Sequence, residues 1–237
     1  MWLINSSIGR KFVMGITGIA LVLFLLFHGT MNLVAIFSPE GYNAICHFLG
    51  ANWYALVGTV GLGALVALHF VFAIVLTMQN YKARGNDRYA MEGRRAEVEV
   101  ASKNMLVLGI IVIGFMVLHL YNFWFKMQYV EIAHKMGCDV DALQMMLATD
   151  GYFYIKTLFA NPVYCVLYLV WLGGLWMHLT HGVWSGLQTF GWSNQIWFNR
   201  IKCIGNIVAT IVVLLFVAVV LYFGSMAIAN GETMFIW

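Results

Sequence analysis

Almost uncharged apolar residues run for twenty or more positions at five places along this chain, near 12–37, 54–80, 104–128, 162–190 and 204–229. A hydrocarbon core of about 30 Å needs roughly 20 helical residues at 1.5 Å each, so every run can cross a bilayer with some tilt. The pattern predicts an all-α fold: a single membrane domain over 1–237, built as an integral membrane bundle of five transmembrane helices. Pro39 follows the first run, and Pro162 opens the fourth in a first helical turn where its missing N–H costs nothing. The first run, about 26 residues with no small-residue cleavage pattern after it, reads as a span rather than a cleavable signal.

Composition agrees. The 237 residues are 62% hydrophobic and 10% charged, against roughly 25% charged in soluble domains, so too little polar surface exists to cover a water-soluble fold. Trp, Tyr and Phe gather near the ends of the runs, as interfacial anchors do. The four cysteines, Cys46, Cys138, Cys165 and Cys203, form no CxxC and no CxxCH. That argues against an iron–sulfur cluster, a structural zinc or a covalently attached haem, and leaves the thiols as small hydrophobes. No nucleic-acid partner is expected.

Charge then orients the spans. Arg10 and Lys11, the connection 81–103 with Lys82, Arg84, Arg88, Arg94, Arg95 and Lys103, and Arg200 with Lys202 hold ten of the thirteen basic residues. All three segments fall on one side of a five-span bundle, which predicts a cytoplasmic N-terminus and a C-terminus outside. The 81–103 connection reads either as a solvated loop or as a docking surface for a soluble partner. The 129–161 connection, with its amphipathic stretch VDALQMMLATDGYF, reads as a lid on the bundle.

Against this apolar background the histidines carry the chemistry. His47 and His134 fall in external connections, whereas His28, His69, His119, His178 and His181 lie inside spans, where ionisable groups are costly and usually functional. Spans one and three run outward, placing His28 and His119 in the outer leaflet; spans two and four run inward, placing His69 and a fourth-span histidine in the inner leaflet. Four helices thus offer imidazoles at two depths, roughly 10–15 Å apart. Two facing imidazoles are what a six-coordinate haem iron needs, so the pattern suggests two b-type haems able to pass electrons across the bilayer. His178 and His181, three residues apart, share roughly one helix face, and spacing alone leaves either as ligand. Gly15, Gly18 and Gly109 at the inner level, and Gly58, Gly61, Gly63, Gly173 and Gly174 at the outer one, would let backbones recede beside a porphyrin, or serve ordinary helix packing. The fifth span has no histidine and is expected at the bundle's side.

The stretches SSIGRKFVMGITG, FHGTMNL around His28, HFVFAIVLTMQN from His69 and, most specifically, HGVWSGLQTFGW from His181 resemble the five-helix dihaem cytochrome b subunit of succinate dehydrogenases and fumarate reductases. The likeness covers essentially the whole chain. It implies His28 with His119 on an outer haem, and His69 with His181 on an inner one, selecting His181 over His178. It also implies a multi-pass anchor in the cell inner (cytoplasmic) membrane that holds a flavoprotein and an iron–sulfur subunit on the cytoplasmic face. Electrons would pass from the iron–sulfur subunit to the inner haem, the outer haem and then a quinone, usually menaquinone, near the end of the first span. Glu40, Asn43 and His47 are candidate quinone contacts, and Arg10 and Lys11 candidate partners of haem propionates. Some members carry a Glu two residues before the axial His; Leu179 stands there here, which puts compensating transmembrane proton transfer in doubt. The alternatives are the cytochrome b anchor of a hydrogenase or formate dehydrogenase, expected to place two ligating histidines on one helix, and a transporter whose histidines bind transiently.

Overall fold

The computed structural model describes residues 6–84, 101, 104–192 and 194–234. Among them the chain is helical or turning, with no strand. The basic residues Arg88, Arg94, Arg95 and Lys103 of the expected docking connection lie outside the described residues. In chain order the helices are α1 (Ser7–Phe37), α2 (Pro39–Phe48), α3 (Trp53–Arg84), α4 (Met105–His119), α5 (Gln128–Lys135), α6 (Ala142–Leu147), α7 (Gly151–Phe159), α8 (Pro162–Thr189) and α9 (Phe198–Ala229). Five of these are long and apolar enough to cross a membrane, α4 doing so together with the residues up to Trp124. Large apolar side chains on them are exposed all along, among them Leu23, Val57, Val71, Val117, Val166 and Leu214. In water such a surface would aggregate; in lipid it is the ordinary outer face of a spanning helix.

Helix ends follow local chemistry. Ser38 caps α2, its hydroxyl accepting from the Gly41 amide at 2.9 Å, with Pro39 in the first turn. Asp141 accepts from the Leu143 and Gln144 amides to start α6, and Asp150 from Phe153 to start α7. Helix α8 stops at Gly191, whose φ of 81° admits the reverse turn that lets Trp192 N–H reach the Leu187 carbonyl. The final Gly-Trp of the HGVWSGLQTFGW stretch is therefore a helix stop. Directly after His119 the helix widens into one π turn over Leu120–Trp124, with Phe125 N–H bonded to the Leu120 carbonyl at 2.8 Å. Such turns re-aim the residues that flank them and recur at functional sites.

The chain divides into two compact units. The first comprises Met1–Phe24, Gly61–Ile110 and Leu175–Ile211; the second comprises Leu25–Val60, Ile111–Gly174 and Val212–Trp237. All five chain boundaries between the units cut spanning helices, so each unit takes one part of every span.

In the first unit helix backbones come close. A Cβ on Gly15 would stand 3.2 Å from the Phe190 ring, and one on Gly205 3.2 Å from Trp184. Phe12 meets Phe190 edge-on at 5.2 Å.

In the second unit the short helices interlock through polar side chains. Asn43 on α2 donates to Asp150 at 2.8 Å and accepts from the Tyr152 amide at 2.9 Å, tying α2 to α7. The buried Glu131 accepts from the Ala51 amide, and Gln128 donates to the Gly50 carbonyl while accepting from Thr59 and Trp124. Ile155, Leu158 and Phe159 of α7 are buried while α6 has no buried residue, so the α7 part of the expected lid is the part packed into this unit. Helix α9 buries one face through Val212, Val220 and Phe223, exposes Leu214 and Leu221 on another, and brings Phe216 to 5.7 Å from His28. A span without ligands still supplies the apolar wall beside them.

Candidate functional site

The second unit holds His28 on α1 and His119 at the end of α4, their ring centres 5.9 Å apart and their planes near perpendicular at 85°. Phe216 stands beside His28, while Phe123, Trp171 and Tyr168 surround His119 at 5.1, 5.7 and 6.3 Å between ring centres. Asn122, inside the π turn, is 2% exposed and donates to the Tyr168 hydroxyl at 3.1 Å. Asn32, one helical turn beyond His28, donates to its backbone carbonyl at 2.8 Å and keeps its amide 3.4 Å from the imidazole. Tyr42 on α2 donates to the Asn32 oxygen at 3.0 Å, so a line of polar groups leads from α2 to His28.

The first unit holds His69, His178 and His181. The imidazole brought to His69 is that of His178, with ring centres 6.4 Å apart and planes at 62°. His181 packs edge-on against Trp184 at 5.0 Å. The family likeness selects His181, whereas the ring geometry puts its neighbour opposite His69. Three residues along a helix rotate a side chain by about 60° from its starting direction, enough to turn one of the two toward α3. From α1, the Thr17 hydroxyl lies 3.1 Å from His69 Nδ1, and Gly18 leaves room for the ring, whose Cε1 an added Cβ would meet at 3.3 Å.

A bis-imidazole group fits these residues. A metal about 2 Å from each of two ring nitrogens, with a further ~1 Å to each ring centre, separates the centres by roughly 6 Å. Both observed separations agree with that spacing. His119 Nδ1, His178 Nδ1 and Trp171 Nε1 are buried without a hydrogen-bond partner. Buried polar atoms of this kind ask for an explanation, such as a bound group or ordered water. Two facing imidazoles are a donor set that suits a macrocycle bringing four ligands of its own.

The remaining expected residues divide between the units. Arg10 is half-buried and Lys11 exposed, both in the opening turns of α1 in the first unit. Glu40 and His47 are exposed on α2, and Asn43 spends its amide on the α2–α7 tie. Beside them burial raises the Tyr42 phenol well above its ordinary value, helped by Cys46, and pushes the Cys46 thiol up to about 11. Thr17, Asn32, Asn122 and Tyr168 were not singled out in the sequence; their one signal was a polar residue inside an apolar run.

Fold and site together define an all-α, multi-pass membrane protein of five spanning helices with two pairs of facing intramembrane imidazoles. No protein-family model, curated protein or solved structure matches the chain.

Proposed function

We propose that this chain is the membrane anchor and electron-transfer subunit of a succinate:quinone oxidoreductase, holding two b haems between a cytoplasmic iron–sulfur subunit and membrane quinone. The observation that carries the proposal is the pair of facing imidazoles in each unit, supplied by four different spanning helices. That distribution favours this family over a hydrogenase or formate dehydrogenase anchor with two ligating histidines on one helix. When bound, the haems supply one-electron carriers that relay electrons between the partner's cluster and a two-electron quinone.

The chain's own residues do the holding. His28 and His119 would hold one haem through their imidazoles, and His69 with a helix α8 histidine would hold the other. Ring geometry supports His178 as that fourth ligand, against the His181 of the family likeness. Phe216, Trp171, Tyr168 and Phe123 form the apolar and aromatic lining around the second-unit pair and keep water from it. Arg10 and Lys11 serve as cationic partners for propionates in the first unit, by their place in its sequence segments. Menaquinone is the expected electron acceptor or donor near α2, where Glu40 and His47 are exposed. The basic bias of residues 10–11, 81–103 and 200–202 supports a cytoplasmic N-terminus, and the family likeness implies flavoprotein and iron–sulfur partners on that face of the cell inner membrane.

The purified complex tests this directly. A reduced-minus-oxidised spectrum should show b-type bands at two haems per chain, with haem reduction by succinate and a co-purifying flavoprotein. Reduction by hydrogen or formate instead would give the chain to the other respiratory family. Absence of any bound pigment would leave only the transporter reading.

A further inference from the structure

We infer that Thr17 is a positioning residue that sets the tautomer of His69, holding the Nδ1–H and leaving the Nε2 lone pair for iron; this rests on the dihaem reading above. Thr17 is 3% exposed, and its hydroxyl oxygen has three partners. The Val13 and Met14 carbonyls lie at 3.0 and 3.1 Å, and His69 Nδ1 at 3.1 Å. Carbonyls can only accept, and a hydroxyl has one hydrogen and two lone pairs. The back-bond to the preceding turn, common for Thr in a helix, takes the hydrogen. With the hydrogen held in that back-bond a lone pair faces His69, and on this proposal Nδ1 is the ring nitrogen that donates. A neutral imidazole carries one N–H, so Nε2 is left as a pure donor of electrons, the form a metal requires.

Gly18 completes the seat. The Cε1 atom, which joins the two ring nitrogens, packs where an added Cβ would approach to 3.3 Å, so consecutive residues of α1 define both the hydrogen bond and the lateral position of the ring. His119 Nδ1 and His178 Nδ1 are buried with no hydrogen-bond partner, so in the first-unit pair this contact is made to His69 and not to His178. A hydrogen bond from Nδ1–H makes the imidazole a stronger electron donor and favours the ferric iron it ligates.

The test is a redox titration and low-spin ferric EPR spectrum of the purified complex carrying Thr17→Val, which keeps the shape, and Thr17→Ser, which keeps the hydroxyl. In Thr17→Val one of the two titrating haems should favour the ferrous state by roughly tenfold, about 59 mV upward for a one-electron couple. The other haem should stay in place, and Thr17→Ser should keep both native values. Should Thr17→Val lose one haem while Thr17→Ser retains two with the native spectrum, dependence on the hydroxyl is shown equally. Unchanged potentials and spectra in Thr17→Val overturn the inference, as does a Ser variant that behaves like Val. A native complex without b-type bands overturns the dihaem reading itself, before any variant is made.

Discussion

The two units bring imidazoles together by different means. In the first, helices approach closely at Gly15 and Gly205, and a single hydroxyl from α1 reaches His69. In the second, polar side chains from four segments interlock: Asn43 with Asp150, Gln128 with the 49–50 backbone, Glu131 with Ala51, and Tyr42 with Asn32 beside His28. The described connections explain the difference. Inside a continuous helix the backbone is already hydrogen-bonded, so shape alone decides how near a neighbour comes. Where the chain turns, as it does around 38, 49–52 and 125–161 in the second unit, freed amides and carbonyls need partners, and Asn, Gln and Glu supply them. The buried Glu131 carboxyl is held there by the Ala51 amide.

The largest effect should come from removing a facing imidazole. His119→Ala is expected to halve the haem-to-protein ratio of the purified complex, leaving the first-unit haem spectrally intact; retention of both haems would break the pairing with His28. The first unit is put at risk by a parallel pair of variants. His178→Ala should remove its haem and His181→Ala should spare it. The opposite outcome would restore the assignment that the HGVWSGLQTFGW likeness makes and show that the ring contact with His69 is not ligation.

Smaller effects probe the interlock. Glu131→Ala strands the Ala51 amide and should destabilise the second unit by about 1–3 kcal/mol, read as earlier thermal unfolding in detergent. Gly151→Ala, whose new Cβ would collide with the Cys46 sulfur, should cost a similar ~1–3 kcal/mol through overpacking. An equal loss on mutating Gly63, which has open space around it, would show that neither value reports the interlock.

The smallest expected effect is one of pH. Cys46 titrates at 9.0 ordinarily and at about 11 in the fold, chiefly because burial disfavours the thiolate. Its folded pKa is raised, so its contribution is fully present below pH 9.0 and lost as pH rises through about 11. Unfolding followed from pH 8 to 11 should steepen in the native protein and flatten in Cys46→Ala; identical slopes would remove the thiol from the account.

Much of this was legible along the chain. The five expected runs recur as spans with nearly their expected ends, because twenty consecutive apolar residues have no stable place other than a lipid-facing helix. The fifth helix begins earlier than its apolar run, at Phe198, since Asn194 caps the turn before it through the Ile196 and Trp197 amides. His28 and His119 fall in one unit and His69, His178 and His181 in the other, the same grouping that the order of the spans led one to expect. The π turn after His119, the burial of α9 and the Asn32–Tyr42 line were not, because each depends on which face of one helix meets another.

Composition and periodicity by themselves therefore determined that this is a five-span membrane protein, since hydrophobic length acts through a uniform solvent, the bilayer. Tertiary structure alone decided which imidazole of the His178–His181 pair turns to His69, and that a buried threonine on a different helix meets that ring. Rotation about a helix axis by 60° changes a partner without changing the hydrophobic pattern, so no one-dimensional reading distinguishes the two.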